Sequence, residues 1–482
     1  MSLNAEQKRL FDIVVHERHS VYFGGDAGTG KTHVTQAMMD AMREADLQVV
    51  ACAPTGQAAQ HLDGMTIHTL FGLVPPRDPG APCVLSRTWS LESALRGADV
   101  IVIDELSMVS QQLFEDMNRR MERLKPRAGR PMGGVQIVGL GDFCQLPPVG
   151  ERTTPAGRFC FHSDNFHALF GAHMYRLTQQ MRQADDVPFA QLLARIRVCN
   201  GALAPEDVAL LKSRLFVPGP VPFVDEPYLY PRRQDVDKHN GICAERLGPM
   251  VAAYAWTAKD WTANDECKRS LATMRLEERL ELRVGAPVLL RFNLDLPARL
   301  VNGARGVVRA IVTLCELGVR RCGRCELCRG DAPRPEHKFE KFIGSEPTDA
   351  ATPVPLVEMQ WGDVTAVYAI GMHCQQKLWP LRGSRKRAAG ADAPSGAVMC
   401  TRTQIPLSLA WGFTMHKSQG MTLPTVCVSL DRIFEDGQVY VALSRARRLA
   451  DVRIIGNYIP VKRIRAAADA VEFERLHMRP LF

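Results

Sequence analysis

No apolar run in the 482 residues approaches the length that crosses a bilayer, and the opening MSLNAEQKRL lacks the apolar segment of a secretory signal. The expectation is a soluble, intracellular chain with no membrane partner. A strong excess of one charge is also missing: a net formal charge of +8 suits a polyanionic partner without requiring one. Nor is the chain poor in apolar residues. At 46% hydrophobic and 23% charged it sits near the globular average, which excludes a disordered tail or a fibre. Its length suffices for about three domains, each able to bury a core. The fourteen cysteines, in a reducing compartment, argue for thiols or metal ligands rather than a disulfide framework.

What is present begins with Gly24 to Thr32, GGDAGTGKT, after the apolar run Ser20-Val21-Tyr22-Phe23. Gly25, Gly30, Lys31 and Thr32 fill G-x-x-x-x-G-K-[ST] between an expected strand and an expected helix from Lys31 to about Ala45. Gly28 and Gly30 let consecutive N–H groups turn toward phosphate oxygens around Thr29, and the new helix adds its positive end. Lys31 is expected on the β- and γ-phosphates, and Thr32 on Mg²⁺. Upstream, Asn4 can cap a short helix that carries Gln7. Its amide either meets an adenine edge, which needs a donor and an acceptor together, or is simply an exposed helix glutamine.

Val100 to Glu105, VIVIDE, reads as a strand that is apolar on both faces and ends in two acids. Burying two carboxylates without a cation is costly, so Asp104 is read as a Mg²⁺ partner and Glu105 as the base for the attacking water. Val135 to Gly139 is another buried strand, followed by GDFCQLPPV, in which Gln145 is placed to register the γ-phosphate. Leu47 to Ala53 is a further strand and ends in Pro54-Thr55. With His68, in HTLFG, these residues are candidates for contacts with a nucleic-acid strand; a plain turn role is the alternative. The Pro- and Gly-rich piece after Val74 suggests a small excursion up to about Gly97. Together the strands describe one RecA-like α/β domain ending near residue 175.

GGDAGTGKT, APTGQAA, HTLFG, VIDELSM, GGVQIVGLGDFCQLPPV, LTQQMRQ, HKSQGMTL and YVALSRAR follow one another in that order. The set resembles the ordered motifs of the petite-integration-frequency (PIF) family of DNA helicases, in superfamily one type B, related to RecD-like enzymes. The resemblance runs from about Leu3 to Arg448. It implies an α/β fold of two tandem RecA-like P-loop domains, with a small wedge insertion at about 73–97 in the first and an SH3-like β-barrel insertion in the second. The implied domains are 1–175, then 176–299 with 403–482, and an inserted 300–402 carrying a Cys-rich loop at 315–337.

The implied activity is ATP hydrolysis with Mg²⁺ in the cleft between the RecA-like domains, driving 5′→3′ movement on single-stranded DNA and unwinding of forked or tailed duplexes by a monomeric basic unit. The resemblance assigns Gln7 to adenine and makes Arg182 and Arg445 two arginine fingers, whose guanidinium forks suit charge developing on the γ-phosphoryl. His416, Lys417 and Ser418 would meet DNA phosphates, while Gln419 and Gly420 would sense the nucleotide. An RNA helicase of the same superfamily, or a nucleic-acid-binding regulator with little turnover, are the other functions weighed.

The insertion departs from the family. Cys315, Cys322, Cys325 and Cys328 stand as C-x6-C-x2-C-x2-C, followed by His337, amid Arg320, Arg321, Arg324 and Arg329. Close C-x-x-C spacing suits Zn²⁺, and free surface thiols are the alternative. The arginines either contact phosphates or keep the loop soluble. Lys377 to Ser395 is expected to be a mobile basic loop.

Overall fold

The computed structural model describes residues 3–482 except 61, 75–82, 86–90, 127–128, 151, 218–225, 249–251, 264–267, 272–273, 275, 296, 323, 330–336, 345–347, 362–363 and 379–397. The basic loop expected at Lys377 to Ser395 therefore lies almost wholly outside the described residues. The chain forms two compact units, Met1–Val236 with Phe413–Phe482, and Asp237–Gly412.

The first unit is built on strands β1 (Val21–Gly25), β2 (Val49–Ala53), β3 (Met65–Thr66), β4 (Val100–Ile103), β5 (Gln136–Leu140) and β6 (Met174–Leu177). With the edge strand Arg479–Pro480 they form one sheet in the order Arg479–Pro480, β6, β1, β5, β4, β2, β3. Every pairing is parallel. A parallel sheet is covered on both faces, which is why these strands read as continuous apolar runs. Side chains alternate between the faces. Val21, Phe23, Val100 and Val102 pack with Leu10 and with Val34, Met38 and Met42 of helix α1 (Ala5–Phe11) and helix α2 (Lys31–Glu44). Tyr22, Ile101 and Ile103 face the opposite layer, with Phe114 of α3 (Gln111–Leu124), Phe143, Phe166 and Phe170.

The C-terminal tail completes that second layer. Phe473, on the helix Ala468–His477, stacks on Phe161 with ring centroids 4.3 Å apart and joins Tyr22 and Phe143 in one core. A second parallel set in the same unit runs Tyr228–Tyr230, Val426–Ser429, Val452–Ile455, Leu215–Phe216. The excursion expected after Val74 holds a two-stranded pair, Leu73–Val74 with Val84–Leu85, and a helix, Glu92–Gly97.

The second unit is mostly β. Six strands lie in the order Lys341–Ile343, Val364–Ile370, Pro353–Trp361, Arg305–Thr313, Pro287–Leu290, Leu407–Leu409. Among the described residues these pairings join the strands in a row. Trp256, Leu280, Val288, Val308, Val357 and Leu407 form the core beside it. Among the described residues, no helix is long and apolar enough to cross a membrane.

Candidate nucleotide and nucleic-acid site

In the first sheet β1, β5 and β4 are neighbours, so their carboxyl ends bring the phosphate loop, Asp142 and the Asp104-Glu105 pair side by side. Carboxyl ends of parallel strands are where such sheets bind ligands. The loop leaves β1 through Gly28, whose φ of 95° and surroundings both require glycine: a Cβ there would stand 2.5 Å from Cβ of Arg182. The segment 180–183 thereby closes on the loop. The N–H groups of Met181 and Arg182 donate to the Gly28 carbonyl at 2.9 and 3.1 Å, and Gln180 Nε2 donates to the Ala27 carbonyl at 2.9 Å. Gly30 opens α2, and no side chain caps its first amides, which leaves them to phosphate oxygens.

Lys31 Nζ donates to the carbonyls of Gly25 and Asp26, at 2.7 and 3.0 Å. Burial pushes its pKa down, against the pull of Asp142 and Glu105. Thr29 Oγ1 donates to the Asp26 carbonyl at 3.0 Å. Gln7 is 2% exposed, so the exposed-glutamine alternative fails. Its Nε2 donates to the Thr29 carbonyl at 3.4 Å, and its Oε1 accepts from the Asn4 N–H at 3.1 Å within a capping box. Each amide end keeps further hydrogen-bonding capacity.

Asp104 is buried, and its Oδ1 accepts the Glu105 N–H at 2.7 Å. Burial, with Glu105 adding to it, raises its pKa to about 8. Glu105 has a φ of 49°, a left-handed conformation that costs energy for a residue with a side chain. Its Oε2 accepts from Gln419 Nε2 at 3.0 Å. Gln145 Nε2 donates to Asp142 Oδ2 at 3.2 Å, while Gln145 Oε1 and Gln419 Oε1 are buried with no hydrogen-bond partner. Orphaned acceptors and an uncompensated carboxyl pair fit a group that brings cations or donors, as a nucleotide with Mg²⁺ does.

The sequence from Gly437 to Arg447 supplies the other wall. Gly437 has a φ of 77°, and a Cβ there would lie 2.3 Å from the Gln145 carbonyl oxygen. On the helix Gln438–Leu443, Tyr440 Oη accepts the Ala27 N–H at 2.7 Å. Arg445 is 1% exposed, with Nε donating to the Val441 carbonyl at 2.7 Å and Nη1 to the carbonyls of Ser418 and Met421 at 3.3 and 3.2 Å. Burial, with Arg182 nearby, pushes its pKa down to about 9. Arg182 Nη1 donates to the Ser444 carbonyl at 3.0 Å.

A cavity of about 540 Å³ joins these groups: Gly28, Gly30, Lys31, Thr32, Asp104, Glu105, Gln145, Arg182, Gly420 and Arg445 all line it. Of the other candidates, Gly25 and Gln419 bond lining residues, through Lys31 and Glu105, while Gln7 and Thr29 bond each other. Sequence reasoning missed Arg447 and Asp185, which also line the cavity. The YVALSRAR motif did carry a signal for Arg447, two positions after Arg445. It also missed Arg197 on α4 (Val187–Arg197). This fully buried guanidinium bonds Asp142 at 2.7 to 3.2 Å, ion-pairs with Asp26 at 3.3 Å, and bonds Glu474.

The nucleic-acid candidates are less converged. Pro54 and Thr55 follow β2, and Thr55 Oγ1 accepts the Ala58 N–H at 3.2 Å, a local capping role. His68 lies on the short helix Ile67–Phe71. Lys417 is exposed, and burial lowers the pKa of His416, whose ring stacks at 6.2 Å from Phe434. Ser418 differs from expectation: it is fully buried and its hydroxyl donates to the Met415 carbonyl at 2.7 Å, turned into its own 3₁₀ turn.

The chain matches the PIF1-like helicase family over residues 2–201 and the 2B domain of the DNA helicase Pif1 over residues 270–311. It is 30% identical to the ATP-dependent DNA helicase PIF1 of Emericella nidulans, over 97% of this chain and 62% of that one. With the human ATP-dependent DNA helicase PIF1 it shares 31% identity over 94% of this chain and 60% of the relative. It thus spans about three fifths of the length of these curated relatives. The crystal structure of Pif1 helicase from Candida albicans superposes with a TM-score of 0.76 at 25% identity, covering 98% of this chain and 99% of that one. Bacteroides Pif1 bound to single-stranded DNA gives 0.74 at 25% identity, covering 98% and 97%. A Bacteroides Pif1 structure in complex with ADP-AlF3 and single-stranded DNA also gives 0.74, at the same identity and coverage.

Proposed function

This chain belongs to the PIF1-like helicase family, and on that premise we propose that it is an ATP-dependent DNA helicase that moves 5′→3′ along single-stranded DNA and opens forked or tailed duplexes. The observation that carries this reading is the cavity itself, where Lys31, Thr32, Asp104, Glu105 and Gln145 meet Gly420 and Arg445 from a distant part of the chain. A nucleotide-binding regulator without turnover has no need of the second set.

In this reading the amides opening α2 and the Lys31 ammonium bind the β- and γ-phosphates, and Gln7 meets the base. Thr32 and Asp104 would hold Mg²⁺, which when bound offsets the charge of the phosphates. Glu105, oriented by Gln419, accepts the proton of the attacking water. Arg182 and Arg445 leave their backbone carbonyl partners to meet charge developing on the γ-phosphoryl oxygens. Gln145 reports the γ-phosphate through Asp142 to Arg197. Pro54, Thr55, His68, His416 and Lys417 are the proposed strand contacts, with Ser418 acting through its backbone turn. The six-stranded sheet of the second unit is read as the family's SH3-like insertion. Closure on ATP and reopening after hydrolysis would shift the grip of the two RecA-like halves on DNA, giving steps along it.

The test is unwinding of duplexes carrying a 5′ or a 3′ single-stranded tail. ATP-dependent opening of the 5′-tailed duplex alone is expected, with ATPase stimulated by poly-dT well above poly-U. Opening from the 3′ tail alone would overturn the polarity, and preferential stimulation by poly-U would overturn the DNA assignment.

A further inference from the structure

The helicase reading leaves one group of ligating side chains unused. We infer that Cys315, Cys322, Cys325 and Cys328 bind a single zinc ion as four thiolates, stapling the excursion after strand Arg305–Thr313 to the sheet it leaves. All four Sγ atoms lie within 4.8 Å of one another. Cys322 Sγ stands 3.9 Å from Cys328 Sγ, which is 3.6 Å from Cys315 Sγ. A disulfide needs about 2.05 Å. The edge of a tetrahedron of sulfurs about 2.3 Å from a central zinc is about 3.8 Å. The spacing is that of ligands to one ion, and too tight for sulfurs spread around several irons.

Local backbone geometry supports the site. The N–H groups of Arg324 and Cys325 both point at Cys322 Sγ, at 3.4 Å, which stabilises a thiolate there. The Cys325 carbonyl accepts from the N–H groups of Cys328 and Arg329 at 3.0 and 3.1 Å, so one helical turn returns Cys328 to the cluster. Cys315 comes from the sheet side. It is 3% exposed, and its N–H donates to the Ala350 carbonyl at 3.2 Å. Four thiolates around a divalent ion carry a net charge of two minus, and Arg320, Arg321, Arg324 and Arg329, all exposed on the same stretch, offset it. His337 is not one of the converging groups, so the set is four sulfurs with no open position, the form of a structural site. The other converging trio, Asp142, Cys144 and Glu474, differs because Arg197 already bonds both carboxylates.

The test uses the full chain, produced with zinc in the medium, with metal content by mass spectrometry and the absorption spectrum after replacement by cobalt. About one equivalent of zinc is expected, with intense tetrahedral d–d bands and thiolate-to-cobalt charge transfer. Cys325→Ser should lose the metal, while Lys31→Ala should keep it, which separates this site from the nucleotide site. Zinc below about a tenth of an equivalent, iron in its place, or a cobalt spectrum without thiolate charge transfer in the wild-type chain would overturn the inference. Full zinc retention in Cys325→Ser would overturn the ligand set.

Discussion

Asp104 and Asp142 stand just past the carboxyl ends of adjacent parallel strands, both buried, and their surroundings treat them in opposite ways. Burial pushes both pKa values up. At Asp142 the charge and hydrogen bonds of Arg197 outweigh burial, and the carboxyl sits below its ordinary value. It also accepts from the Cys144 N–H at 3.1 Å and from Gln145 Nε2 at 3.2 Å. Asp104 has Glu105 beside it instead of an arginine, and its pKa rises to about 8. One aspartate has its charge balanced by the protein itself, through Arg197. The other carries a raised pKa that the nearby Lys31 does not offset, the kind of perturbation expected where a cation is to be bound.

The largest expected effect that would sharpen this contrast is at Asp104. Asp104→Asn should lower DNA-stimulated ATP turnover by roughly 100-fold or more while the thermal midpoint measured near neutral pH without Mg²⁺ stays level or rises, since folding no longer has to protonate a carboxyl whose pKa burial raises. A large drop in midpoint with turnover preserved would erase the distinction. Arg197→Met is the converse. It leaves Asp142 and Glu474 as uncompensated buried acids and should cost about 3–5 kcal/mol of stability in denaturant titrations. A smaller effect follows with pH. Because the native pKa of Asp142 is depressed, its contribution is complete above the unfolded value of about 3.9 and is lost as pH falls through the native value. The stability gap between wild type and Asp142→Asn should therefore be flat from neutral pH down to about 4 and shrink below it.

The sheet that carries the site could be read from the chain because parallel strands leave a local mark, a short apolar run such as VIVI or VYF ended by chemistry. Much of the cavity wall was equally legible, since Lys31, Asp104, Glu105 and Gln145 each sit in a motif whose residue types suit phosphate and water, while Arg445 was pointed to by the family resemblance alone. Arg197 left no such mark. On its helix it reads as any surface arginine, and its partners Asp142 and Glu474 are far away in sequence, so only folding brings them together. Phe473 is alike: one aromatic of the tail that turns out to complete the core under β1. The orientation of Ser418 was illegible for a different reason. A hydroxyl in a short turn can bond the carbonyl three residues back, and nothing in HKSQG says which way it turns. The cysteine spacing was legible as a cluster, but whether Cys315 reached the C-x-x-C pairs depended on the sheet it stands on.

The most direct test of the central claim, that this cavity is where ATP is hydrolysed in service of DNA movement, is the single-stranded-DNA-stimulated ATPase of Lys31→Ala beside its DNA affinity. The predicted result is a loss of roughly 100-fold or more in stimulated turnover, with affinity for single-stranded DNA within about twofold of wild type at one fixed salt concentration. Stimulated hydrolysis at the wild-type rate would contradict it, because Lys31 is the cation placed on the β- and γ-phosphates in this account.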